Sequence, residues 1–153
     1  MNGDSLTVTR HLSVIYADDL RQEIDGKLTI VGMYQAQMLV PAFPITLPKL
    51  AVLMTAVTPA EQPFGKVTLQ LLKDDEILQS LEMDLSGQEV PSPEFDPEGI
   101  ATMELQFANI ISPLQLDGPC KLRARLETEF GIIAGRPLII TAISAGSPST
   151  QTH

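Results

Sequence analysis

Between Arg10 and Ile143, stretches in which apolar and polar positions alternate with a period of two recur and set out a series of strands. In the first run, Leu12, Val14 and Tyr16 alternate with Ser13, Ile15 and Ala17, which predicts a strand over His11–Ala17 with one preferred face. A second run, Lys27–Tyr34, sets Leu28, Ile30 and Tyr34 against Thr29, Val31 and Met33. Gly32 interrupts it, which predicts a bulge or a close backbone approach, and the pattern is open to continuation through Met38–Val40. The polar connector Asp18–Gly26 between the two runs has room for one helical turn capped by Asp18 or Asp19. Gly26 is its turn residue, free to take positive φ.

Prolines 41, 44 and 48 mark PAFPITLP as an extended crossover along a sheet edge, because proline donates nothing to a ladder. Lys49–Thr58 is apolar at both parities and predicts a strand buried on both faces. Lys66–Lys73, with Val67, Leu69 and Leu71 inward, and Glu76–Leu85 form a hairpin about a turn at Asp74–Asp75. Ser86–Gly99, with Pro91, Pro93 and Pro97, reads as a long surface loop. Strands follow at Ile100–Ile110, Cys120–Phe130 and Pro137–Ile143, with SPLQLDGP as one connection and Gly131–Gly135 as a short excursion. About eight strands with Pro/Gly turns and no amphipathic helix predict an all-β fold, an antiparallel two-sheet β-sandwich with Greek-key connections. A closed β-barrel is the alternative. The expected organisation is an N-terminal arm over 1–9, one sandwich domain over 10–143 and a flexible polar tail over 144–153.

Composition narrows the core and the partners. Apolar residues are 44% of the 153, aromatics 5% and tryptophan absent, so the core must be aliphatic. Ten basic against nineteen acidic residues, a net charge of −9, argue against nucleic acid or an anionic membrane as partner, since both need a concentrated positive field. A cation or a basic protein partner stays compatible. The single cysteine, Cys120, has no intramolecular partner and fits a reducing compartment. No basic-then-apolar leader opens the chain, and no apolar run approaches the ~20 residues that cross a bilayer. The expected setting is the cytoplasm, or a virion assembled after cytoplasmic synthesis.

Candidate chemistry is sparse. Asp18, Asp19, Glu23 and Asp25 could offer hard oxygen ligands to Ca²⁺, though their spacing departs from the EF-hand pattern. The competing reading has one Asp capping a turn, Arg21 pairing with Glu23 or Asp25, and the rest solvated. Gly26–Lys27–Leu28–Thr29 lacks the GxxxxGK[ST] spacing of a phosphate loop and is followed by a strand. His11 and His153 are the only histidines, and neither accompanies a nucleophile signature. One cysteine and two distant histidines give no zinc spacing, and Cys120 reads as a small hydrophobe. The acidic stretches Asp74–Glu76 and Glu89–Glu98 lack the aromatic cleft that glycoside hydrolysis requires. Lys121, Arg123 and Arg125 form a short basic ladder on one strand face; it could dock an acidic partner, or pair across strands with an acid such as Glu104.

Ala17–Asp18–Asp19, Arg21, Glu23, Gly26–Lys27, Gly32, Tyr34 and the stretch Pro41–Pro48 carry a likeness. Together they resemble the N-terminal signature of a family of small uncharacterised bacterial and phage-associated proteins, catalogued as a domain of unknown function. The resemblance covers about the first third of the chain and implies a compact β-sandwich; it implies no activity. The preferred expectation is therefore a non-enzymatic module for contact with a protein partner or for self-association, as a subunit of a larger, phage-type assembly. The alternative is a module binding Ca²⁺ or a small ligand through the acidic connector.

Overall fold

A computed structural model describes residues 9–86, 94–95 and 101–143. The most apolar stretch becomes the centre of one sheet. There β5 (Leu50–Pro59) pairs antiparallel with β1 (His11–Gln22) on one side and β9 (Ala101–Ile111) on the other. With β2 (Leu28–Tyr34) and β8 (Glu94–Phe95) at its edges, the order is β2-β1-β5-β9-β8. The facing sheet runs β3 (Gln37–Val40), β13 (Leu138–Ala142), β11 (Cys120–Thr128), β6 (Lys66–Lys73), β7 (Glu76–Asp84), and β12 (Gly131–Ala134) folds back on β11. A two-stranded ribbon of β4 (Ile45–Leu47) and β10 (Leu114–Leu116) completes the all-β sandwich. It is a pair of open sheets and no barrel. Among the described residues no helix is long and apolar enough to cross a membrane.

The core is aliphatic, as the composition requires. Val52 and Met54 of β5 face Leu69 and Leu71 of β6, Leu122 and Leu126 of β11, and Ile140 of β13 in one buried cluster. Each such side chain contributes about 1.5–3 kcal/mol through the apolar surface it removes from water. Tyr16 is the polar tie between the sheets. Buried on β1, it donates its hydroxyl to the carbonyls of Arg136 (3.0 Å) and Leu122 (3.3 Å) on the opposite side. Burial pushes its phenol up to about 12.

The strand pattern holds for β5, buried on both faces, and for the β6–β7 hairpin, which turns at Asp74–Asp75 as its sequence predicts. Several expectations are corrected. The first strand does not stop at Ala17 but runs to Gln22, so Asp18–Gly26 holds no helical turn and its loop shrinks to the residues around Ile24–Gly26. Met38–Val40 does not extend the second strand; Gln37–Val40 crosses to the other sheet and pairs parallel with β13, so the sandwich is not wholly antiparallel. The proline-ruled crossover carries β4, because Ile45–Leu47 lies between Pro44 and Pro48 and keeps its own N–H groups. Leu114–Leu116 and Gly131–Ala134, read as connections, are short strands. Of the proposed arm over 1–9 only Thr9 is described, the proposed tail over 144–153 lies outside the described residues, and of the long loop only Ser86 and Glu94–Phe95 are described.

Candidate functional site

β1 pairs with β5 only over His11–Ala17, whereas its pairing with β2 runs from Tyr16 to Gln22. From Asp18 onward the hairpin therefore leaves the sheet as a two-stranded ribbon, on the order of 17 Å long at ~3.4 Å per residue. Its turn is built for the job. Gly26 N–H donates to the Glu23 carbonyl (3.1 Å) and Glu23 N–H to the Lys27 carbonyl (2.7 Å), closing a three-residue loop. Gly26 sits at φ 87°, the left-handed position such hairpin loops require. Ile24, at the tip, is fully exposed.

Asp18 and Asp19 are consecutive on a strand, so they point to opposite faces. Asp18 accepts the Tyr34 hydroxyl at 2.5 Å, and its carboxylate lies across Gly32, where a Cβ would fall 2.8 Å from the Asp18 Cγ. Gly32 has φ 69°, so it is a site of close approach, with β1–β2 register unshifted across it. Burial, then the Asp18 carboxylate, push the Tyr34 phenol up to about 12. On the other face Asp19 meets Lys49 Nζ at 3.0 Å and Arg21 Nε at 3.5 Å; the Lys49 contact chiefly holds its carboxyl below the usual carboxylate range. Glu23 accepts the Thr29 hydroxyl at 2.5 Å, and Asp25 pairs with Lys27 at 3.2 Å.

The four carboxylates proposed as Ca²⁺ ligands are thus each engaged by a different neighbour. Among the described residues no three acidic, histidine or cysteine side chains are grouped to hold a metal ion. Alternation of faces along the ladder sets Asp18 apart from Asp19, while Glu23 and Asp25 lie past the end of β1, where Thr29 and Lys27 hold them separately. Arg21 pairs with Asp19 and not with Glu23 or Asp25.

The basic ladder is placed on the outer face of β11 but is not uniform. Lys121 and Arg123 are exposed, while Arg125 donates Nε to Gln70 Oε1 at 2.7 Å on β6. Glu104, the suggested cross-strand acid, belongs to β9 in the other sheet, so that pairing is not made. Among the described residues none of the three lies within salt-bridge distance of a carboxylate. His11 is exposed at the far end of β1 from the acids, its Nδ1 2.7 Å from the Thr9 carbonyl. Cys120 is half-buried and burial pushes its thiol up, opposite to what a reactive thiolate needs.

Two features escaped the sequence pattern. Arg10 stacks 4.0 Å over the Phe130 ring while bonding Thr58 and Gln62, each at 2.8 Å, and so clasps one end of the sandwich. Between the facing edges of β7 and β9, Met54, Leu69, Leu71 and Phe107 floor a side cleft of about 430 Å³. Asn109 donates its side-chain amide to Gln79 across the mouth.

The fold and the hairpin define a β-sandwich with a projecting two-stranded arm. A family of unknown function, DUF6941, matches residues 12–141, and the chain belongs to that family. No curated protein matches it.

Proposed function

We propose that this protein is a non-catalytic interaction module that uses its β1–β2 hairpin to join other chains in a larger assembly, a phage-type particle among them. The observation that carries the reading is β2. This edge strand of seven residues, LTIVGMY, holds no charge and no proline, and exposes Ile30, Val31 and Met33 beside a fully exposed tip at Ile24. An edge strand presents unpaired N–H and C=O groups, and chains with no use for them blunt the edge with charge, proline or a bulge. A lone two-stranded ribbon is also marginal in water, so a partner that covers it repays the exposure. The lone Cys120 and the scarcity of positive charge suit assembly in the cytoplasm with protein, not nucleic acid, on the receiving surface.

The test is photo-crosslinking in source cells, with a photoreactive residue in place of Ile24 and, as control, in place of Thr68 on the sandwich body. Adducts to protein at position 24 and none at position 68 are expected. No adduct at 24, or adducts at 68 alone, overturns the reading.

A further inference from the structure

We infer that β2 pairs antiparallel with the β2 of a second copy of this chain, making one continuous sheet across a two-fold axis. The inference rests on the proposed role of the hairpin and names its occupant. Comparison of the edges singles out β2. β3 has four residues and runs into Pro41, β8 has two, and β12 has four. β7 is long, but it carries Glu76, Glu82 and Asp84 and a register shift opposite Leu71/Leu72. Self-pairing of β7 about its centre, Ser80, would set Glu76 against Asp84, and like charges directly opposite destabilise a ladder.

β2 carries no charge, and its one backbone irregularity, Gly32 at φ 69°, leaves the register on either side unshifted. An axis through Val31 sets Leu28 opposite Tyr34, Thr29 opposite Met33 and Ile30 opposite Gly32, so all seven residues pair without a charge among them. Lys27, the first charge beyond the strand, falls opposite Gln35. Val31 and Met33, 39% and 56% exposed in the single chain, share the face that also holds Thr29, and the partner's copies cover them. A seven-residue edge spans about 23 Å, which places the contact toward the small end of specific interfaces. Association is therefore expected at about micromolar concentration rather than as an obligate dimer.

Two measurements test this on the full chain. Light scattering over a concentration series should show a dimer whose dissociation constant rises at least tenfold in Val31→Lys, where two ammonium groups would meet on the axis. In a Cys120→Ser background, Val31→Cys should form an intermolecular disulfide under mild oxidation, because residues opposed across an antiparallel ladder have Cα atoms about 4.5–5.5 Å apart, within disulfide reach. Ser80→Cys, on the β7 edge, should not. Val31→Cys nearly preserves the shape of the side chain and keeps the test valid if the lysine variant folds poorly. A monomer at every concentration with no disulfide at position 31, a dimer indifferent to Val31→Lys, or crosslinking through position 80 instead overturns the inference. The wider hairpin reading then stands or falls separately on adducts at position 24.

Discussion

Replacing Gly32 by alanine probes the hairpin at its tightest point. Alanine at φ 69° takes a left-handed conformation that costs an L-residue about 1–2 kcal/mol. Its Cβ would also lie 2.8 Å from the Asp18 Cγ, so the carboxylate must swing away and release the Tyr34 hydroxyl. A hydrogen bond to a charged group contributes ~1.5–3 kcal/mol when sheltered, and about 1 kcal/mol is the fitting figure for this exposed one. The sum, about 2–3 kcal/mol, exceeds what a projecting ribbon can hold on its own. The hairpin should therefore open locally before the sandwich does. Urea unfolding followed by far-UV circular dichroism should show a loss smaller than that sum, while amide exchange over residues 18–33 accelerates at least tenfold. Asp18→Ala supplies the internal control, because without the carboxylate the alanine should cost only its backbone share. An equal penalty for Gly32→Ala with and without Asp18 would refute the packing argument, and unchanged exchange in the hairpin would refute the claim that it is a separately opening unit.

Other expectations follow from the same contacts. Tyr16 and Tyr34, the only tyrosines, should titrate near 12 in the native protein and near 10 in denaturant, read by phenolate absorbance. Because the folded values are the higher ones, the stability they contribute is complete below pH 10 and is lost as pH rises to about 12; native titration near 10 would contradict their burial and bonding. Thermal melting in EDTA and in millimolar Ca²⁺ should coincide, since Asp18, Asp19, Glu23 and Asp25 are separately engaged, whereas a Ca²⁺-dependent rise in midpoint would show that they gather. Arg10→Ala should lower stability by about 1–2 kcal/mol through loss of the Phe130 stack and two hydrogen bonds, measured by the urea midpoint; a change within 0.5 kcal/mol would show the clasp to be idle.

Period two was a sufficient guide wherever a strand has one dry face. β5 announces itself by being apolar at both parities, and Val67, Leu69 and Leu71 are inward in β6 as their spacing implies. The guide fails where both faces are wet. Asp18–Gln22 reads as a connector because nothing in it must be buried, yet its backbone groups are satisfied by the β2 ladder. Three-residue strands such as Ile45–Leu47 are too short to show a period, and partner choice across the chain, as in the parallel β3–β13 pair, leaves no local trace. At the candidate site the acids were legible as residues but not as an arrangement, because ladder alternation sends Asp18 to Tyr34 and Asp19 to Lys49. The better signal was an absence. Residues 28–34 contain no charge in a chain of net charge −9, and that only gains meaning once β2 is known to be an edge.

The most direct examination of the hairpin's role is amide hydrogen exchange on the protein in its assembled state against the dispersed chain. Slowed exchange confined to residues 28–34 and the tip around Ile24, with β7 and β11 unchanged, is the predicted result. Protection that arises instead along β7 and β9 or over Lys121–Arg125, with residues 28–34 exchanging as before, would contradict it.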